Sequence, residues 1–184
     1  TVVPLGVDSQ FLTRELPKGG QLTTKDSHER TFLYIGGITR YRKLELLIDA
    51  AERQKRLHGC DFKMVFVGPD KSNGYYRNIV RESGLNDVIE FIDPVPYDQV
   101  PALINGHDVT IAYVPEEPQD WLFHPTLKVL EYQAIGAPIL ASDVPPNRDI
   151  VGRHANGLLV ANTAEEWQLG MNRLIESTDF FLEI

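Results

Sequence analysis

From residue 31 onward the chain alternates short apolar runs with stretches whose apolar residues recur every three or four positions. The first pattern predicts buried strands and the second predicts helices. Residues 31–35, closed by Gly36-Gly37, predict a first strand, and residues 44–57, with Leu44, Leu47, Ile48, Ala51 and Leu57, a first helix. A second strand over 62–67 stops at Gly68-Pro69 and leads to a helix over 75–83. A third strand over 88–92 precedes a helix near 99–104, and a fourth over 109–114 runs into a polar loop ending at His124. Next come a short helix opened by Pro125, a Gly136-Ala137-Pro138 turn and a fifth strand over 139–141. A sixth strand over 157–160 and a helix from about 164 to 177 complete the series.

Strands joined through helices of this length form a parallel sheet covered on both faces. The expected fold is therefore α/β: a doubly wound, Rossmann-like parallel sheet of about six strands, with ligands at the carboxyl ends of the strands near the switch in strand order. Residues 1–30 divide into a leading β-branched strand and turn, ending at Asp8, and a polar loop over 13–30 without periodicity. Residues 31–184 are expected to form one domain.

Two stretches carry chemistry. In the helix after Pro125, Lys128 and Glu131 are three apart and share a face, while Leu127, Leu130 and Ala134 line another. A lysine in a first helical turn adds positive charge where unpaired N–H groups already present some, so the place invites an anion such as phosphate. The alternative is an exposed Lys128–Glu131 ion pair of little energetic consequence. The second stretch is Gly36-Gly37-Ile38-Thr39-Arg40-Tyr41-Arg42-Lys43, a glycine turn before a helix with three cations close by. It could hold phosphate, although the dinucleotide spacing Gly-x-Gly-x-x-Gly is absent; otherwise its arginines cap nearby carbonyls.

The series Pro125-x-x-Lys128-x-x-Glu131-Tyr132-x-Ala134-x-Gly136-x-Pro138, followed by Ala141-Ser142, resembles the donor-binding signature of family-four (group 1) retaining glycosyltransferases. Those enzymes have the two-domain GT-B architecture, and the signature lies in the C-terminal domain. The resemblance implies that Glu131 holds the ribose hydroxyls of a nucleotide sugar. It implies that Lys128, Arg42 and the Gly36-Gly37 turn face its diphosphate, and that Phe123, His124, Thr126 and Leu127 form the donor-sugar loop. The family's usual arginine falls on Gly37, with Arg40 as the possible substitute, and its usual sugar-directed glutamate falls on Phe123. A branch of the family lacks that glutamate, and this chain is most similar to that branch.

The resemblance further implies transfer from a nucleoside-diphosphate sugar with retention, of hexosyltransferase or mannosyltransferase type, to a glycan, lipid-linked or other acceptor held by an N-terminal domain. A fragment carrying only this half is expected to be inactive. No cofactor is expected, and no metal is required, because Lys128, Arg42 and helix N-termini can neutralise the diphosphate. Two other readings stay open: a catalytically inactive nucleotide-sugar-binding module, and a sugar-nucleotide epimerase of the same architecture.

Composition narrows this little. A net charge of -8 argues against a nucleic-acid surface. Cys60 is the single cysteine, so no internal disulfide can form, and it is expected to be buried as a small apolar residue. His28, His58, His107 and His154 show no metal-ligand spacing. Trp121, Phe123 and His124 either cap the core edge or wall a ligand. The apolar C-terminal run Phe180-Phe181-Leu182-Glu183-Ile184 suggests a piece of a longer protein. The expected setting is cytoplasmic, with any attachment to the inner membrane face made through that longer protein.

Overall fold

The computed structural model describes residues 6–12, 29–123, 127–151 and 157–176. Six strands form one sheet: β1 (Arg30–Ile35), β2 (Phe62–Val67), β3 (Ile89–Ile92), β4 (Val109–Ala112), β5 (Ile139–Ser142) and β6 (Gly157–Val160). Their order is β3-β2-β1-β4-β5-β6, and every neighbouring pair is parallel. Six helices connect or follow them: α1 (Glu45–His58), α2 (Tyr75–Glu82), α3 (Val100–Asn105), α4 (Leu127–Ile135), α5 (Pro145–Val151) and α6 (Ala164–Glu176). This is the doubly wound arrangement that the alternation predicts.

Alternate strand residues feed two separate cores, as a period of two requires. Phe32, Tyr34, Met64 and Phe66 pack with Leu47 and Ile48 of α1, Tyr76 and Val80 of α2, and Trp167 and Met171 of α6. Leu33, Val65, Ile139 and Ala141 pack on the other face with Val100 and Ile104 of α3, Val129 and Tyr132 of α4, and Val151 of α5. Because both faces are covered, the strands are mostly apolar rather than alternating, with Thr31, Lys63, Glu90 and Thr110 among their polar residues.

The direction of chain growth reverses between β1 and β4. Their pairing is limited to Phe32 opposite Val109 and Leu33 opposite Thr110, two residues short of the end of β1. The pairing therefore stops before the strands' carboxyl ends, at the switch in strand order. At their other end they are pinned, because the Asp108 carboxylate accepts from the Thr31 backbone N–H at 2.8 Å and from its hydroxyl at 2.7 Å.

Ser142 of the sequence signature performs a structural task. Its buried hydroxyl accepts from the Val114 N–H at 2.9 Å and donates to Asn162 Oδ1 at 2.8 Å, while Asn162 Nδ2 donates to the Val114 carbonyl at 2.7 Å. The chain beyond β4, the end of β5 and the chain just after β6 are thereby tied together.

The structure corrects several expectations. Helix α5 has no counterpart among the expected elements: Pro145 and Pro146 stand in its first turn, where proline fits. The buried side chains of α4 are Val129 and Tyr132, whereas Leu127 is 49% exposed. Cys60 is exposed, its Sγ 3.7 Å from Asp87, because the chain between α1 and β2 runs along the surface. Arg30, assigned to the polar loop, is the first residue of β1 and pairs with Phe62. The leading strand over 1–5, most of the polar loop (13–28) and the end beyond 176 lie outside the described residues. A 3-10 turn, Ser9–Phe11, follows Asp8 and buries Phe11 in the core shared with α3 and α4.

Candidate functional site

At the switch point the turn after β1 meets Lys128 of α4. The turn is held against the loop after β2: Gly36 N–H donates to the Val67 carbonyl at 2.9 Å, Ile38 N–H to Pro69 at 3.0 Å and Lys71 N–H to Ile38 at 2.9 Å. Gly36 has a φ of +152°, and a Cβ built on it would stand 2.5 Å from Lys128 Nζ. The absence of a side chain at Gly36 is what admits the lysine head. Gly37 differs: a Cβ there meets nothing nearer than Thr39 at 3.5 Å.

Lys128 lies in the first turn of α4, as the pattern predicts. Helix α4 packs on one face of the sheet and the Tyr34 ring belongs to the other, yet Lys128 Nζ sits 4.4 Å from the centre of that ring. The cation lies within the range of attraction to an aromatic face. Loss of water pulls the ammonium down to a pKa of about 7; Arg42 pushes the same way and Glu131 opposes it. The Tyr34 phenol is pushed up to about 12 by burial, with Arg42 partly offsetting the rise. Arg42 and Lys128, from segments more than eighty residues apart, are thus brought into one electrostatic neighbourhood. Among the described residues no ion pair joins Lys128 to Glu131, so the exposed-pair alternative is not what forms.

Glu131 stands one turn further along α4, and its Oε1 accepts from the Tyr97 hydroxyl at 2.8 Å. Tyr97 opens a short 3-10 turn, Tyr97–Gln99, after β3. Sequence reasoning missed this residue, and no local pattern marks it, because its partner lies 34 positions away.

The other cations of the turn face elsewhere. Arg40 stacks on the Tyr75 ring at 4.1 Å and, with Lys43, Glu45, Tyr113, Glu117 and Thr163, borders an open cavity of about 670 Å³ that Lys128 and Glu131 do not line. Lys43 is the third cation of this stretch. It adopts left-handed φ 46° and ψ 48°, and its ammonium pairs with Glu117 at 2.6 Å. Phe123, ending the 3-10 turn Gln119–Phe123, is 69% exposed, and Leu127 is the first residue of α4. His124 and Thr126 of the same loop lie outside the described residues.

A parallel sheet in the order 3-2-1-4-5-6 defines a doubly wound α/β domain, with Lys128, Arg42 and Glu131 near its switch point. Residues 21–180 match the family Glycosyl transferases group 1, and the chain belongs to that family. It is 26% identical over 155 residues to a D-inositol 3-phosphate glycosyltransferase of Corynebacterium aurimucosum, covering 81% of this chain and 35% of that protein. A protein of the same name from Nocardia farcinica is 26% identical over 190 residues, covering 97% of this chain and 40% of the relative. The chain thus spans little more than a third of the length of these relatives.

Among solved structures, the C-terminal domain of the group 1 glycosyl transferase LpcC from Francisella tularensis superposes with a TM-score of 0.69 at 19% identity, covering 96% of this chain and 91% of that domain. Anabaena HepE, in complex with UDP and glucose, superposes with a TM-score of 0.71 at 17% identity, covering 96% of this chain and 47% of that one. Both likenesses establish the GT-B type of fold. Among the described residues no helix is long and apolar enough to cross a membrane.

Proposed function

We propose that this chain is the donor-binding half of a retaining glycosyltransferase and that a nucleoside-diphosphate sugar binds at the switch point between β1 and β4. In this reading Lys128 and Arg42 hold the diphosphate, with the Gly36-Gly37 backbone alongside, and Glu131 receives the ribose hydroxyls. The loop of Phe123, His124, Thr126 and Leu127 borders the sugar, and Arg40 stands further out on the same turn. One observation carries the reading: Lys128 lies over Tyr34 against Gly36, drawn out of water, with Arg42 nearby and Glu131 one turn away. Two like charges held together in a desolvated place oppose each other until an anion joins them. The UDP and glucose bound to HepE show that a protein of this fold takes such a ligand.

As the glycosidic bond to the diphosphate breaks, negative charge grows on the departing phosphate. Fixed cations and backbone N–H groups stabilise such a charge without rearranging. The proposal needs no metal or other cofactor for this step. The acceptor, of glycan, lipid-linked or other kind, and much of the catalytic machinery are assigned to the part of the parent protein outside this chain, so the chain alone should bind donor weakly and transfer nothing. A hexose such as mannose is the proposed donor sugar.

The test is Glu131→Ala in the full-length protein. Nucleoside diphosphate binding should weaken by about 1.5–3 kcal/mol, the range for a hydrogen bond to a charged group. Calorimetric titration measures it, and an unchanged affinity would sink the ribose assignment. A second reading, an inactive binding module, draws on the glycine at 37 and the phenylalanine at 123, where the family usually carries an arginine and a glutamate. Donor hydrolysis and transfer by the full-length protein separate the two.

A further inference from the structure

We propose that Tyr97 is a positioning residue that sets the Glu131 carboxylate for a ribose diol, and that Phe11 of the leading segment holds the tyrosine in place. The inference rests on the reading of Glu131 as the ribose-binding group. Tyr97 donates its hydroxyl to Glu131 Oε1 at 2.8 Å, leaving Oε2 without a hydrogen-bond partner among the described residues. Its ring lies 5.6 Å from that of Phe11, tilted by 56°. Phe11 is 1% exposed and belongs to the apolar cluster that includes Val129 and Tyr132 of α4. The helix that carries Glu131 and the ring that supports Tyr97 are therefore seated in one body.

Tyr97 itself is 53% exposed. A phenol–carboxylate bond so open to water adds little to folding, because water replaces it on both sides. Its effect falls on orientation. A glutamate has several side-chain torsions to restrict before it can grip a ligand, and a carboxylate already fixed through one oxygen has fewer left to lose on binding.

The experiment uses the full-length protein, titrated with uridine, guanosine and adenosine diphosphates and with their 2′-deoxy counterparts. Tyr97→Phe removes the hydroxyl and keeps the ring. If Tyr97 acts through Glu131, the wild type should prefer the ribo form of its nucleotide, and Tyr97→Phe should shrink that preference about three- to tenfold. Glu131→Ala should abolish the preference, and adding Tyr97→Phe to it should change nothing further. A merely structural role would weaken ribo and deoxyribo ligands alike. A wild-type preference that Glu131→Ala removes and Tyr97→Phe leaves intact overturns the proposal while the ribose reading stands. No preference in the wild type overturns both. Phe11→Leu, which loosens the support and keeps the hydroxyl, should give a smaller loss in the same direction, and an unchanged preference there removes Phe11 from the device.

Discussion

Two sets of cations border the turn after β1, and they are treated in opposite ways. Arg40 and Lys43 are exposed and already satisfied, one by the Tyr75 ring and the other by the Glu117 carboxylate. Lys128 has been drawn out of water onto an aromatic face, with Arg42 adding repulsion and Glu131 giving only distant relief. Removing a charge from water is costly unless a partner compensates, whereas exposed pairs are nearly neutral to stability. Satisfied cations hold loops together; an unsatisfied one is poised for an incoming anion. On a chain carrying -8 overall, a polyanion is not drawn in from a distance, so only such local groups can favour it.

The strongest way to break this contrast is Lys128→Met in the full-length protein, which keeps much of the apolar stem and deletes the charge. Nucleoside diphosphate affinity should fall at least about tenfold, roughly 1.4 kcal/mol, while the weaker nucleoside affinity stays nearly unchanged. Equal losses by calorimetry for both ligands would assign Lys128 to the fold or the base pocket instead.

The same residue predicts a pH dependence. An unfolded lysine keeps its proton to about pH 10.4, whereas Lys128 releases it near 7 in the folded state. Below pH 7 both states are protonated and the folded state bears the full penalty. Above 7 the unfolded state binds more protons, so stability rises with pH until both states are neutral above about 10.4. Ligand-free wild type should therefore gain in melting temperature relative to Lys128→Met between pH 7 and 9. Diphosphate affinity should fall over the same window toward the variant's value. A temperature difference that stays flat with pH would contradict the withdrawn ammonium.

Gly37 offers a way to sharpen the contrast by adding a cation on the turn after β1. The open space at its Cβ position accepts a side chain, so Gly37→Arg should fold normally. It should raise diphosphate affinity about three- to fivefold if the new guanidinium reaches the anion through charge-assisted bonds. Unchanged binding would mean that the position does not face the diphosphate. Smallest of all, Lys43→Gly exchanges an exposed ion pair for relief of a left-handed backbone. Stability by thermal melting should shift by less than about 0.5 kcal/mol and diphosphate affinity should not move.

The sheet was legible because its strands are short, mostly apolar runs, as a doubly buried parallel sheet favours, and because β1 and β2 stop at Gly36 and Gly68. Helix α5 was hidden by its own prolines, which stop one helix and start another with equal ease. Val129 and Tyr132 could not be chosen over Leu127 and Leu130 from spacing, since both pairs are three apart and tertiary contact alone decides which faces inward. Of the site, Lys128 and Glu131 were visible in a local pattern. The proximity of Arg42, the ring of Tyr34 and the hydroxyl of Tyr97 depend on contacts across long stretches of chain, which periodicity does not carry.

The glycine after β2 has a bearing on how this surface can diverge among relatives. A Cβ on Gly68, whose φ is +148°, would run into the carbonyl group of Gly36. Position 68 is therefore closed to mutational drift as long as the β1 turn keeps its course, although Gly68 is assigned no contact with a ligand. On the proposed donor-binding reading, new preferences are more accessible through changes at Gly37, where a Cβ meets open space, or at the exposed Tyr97 and Phe123 than through any remodelling of the turn itself.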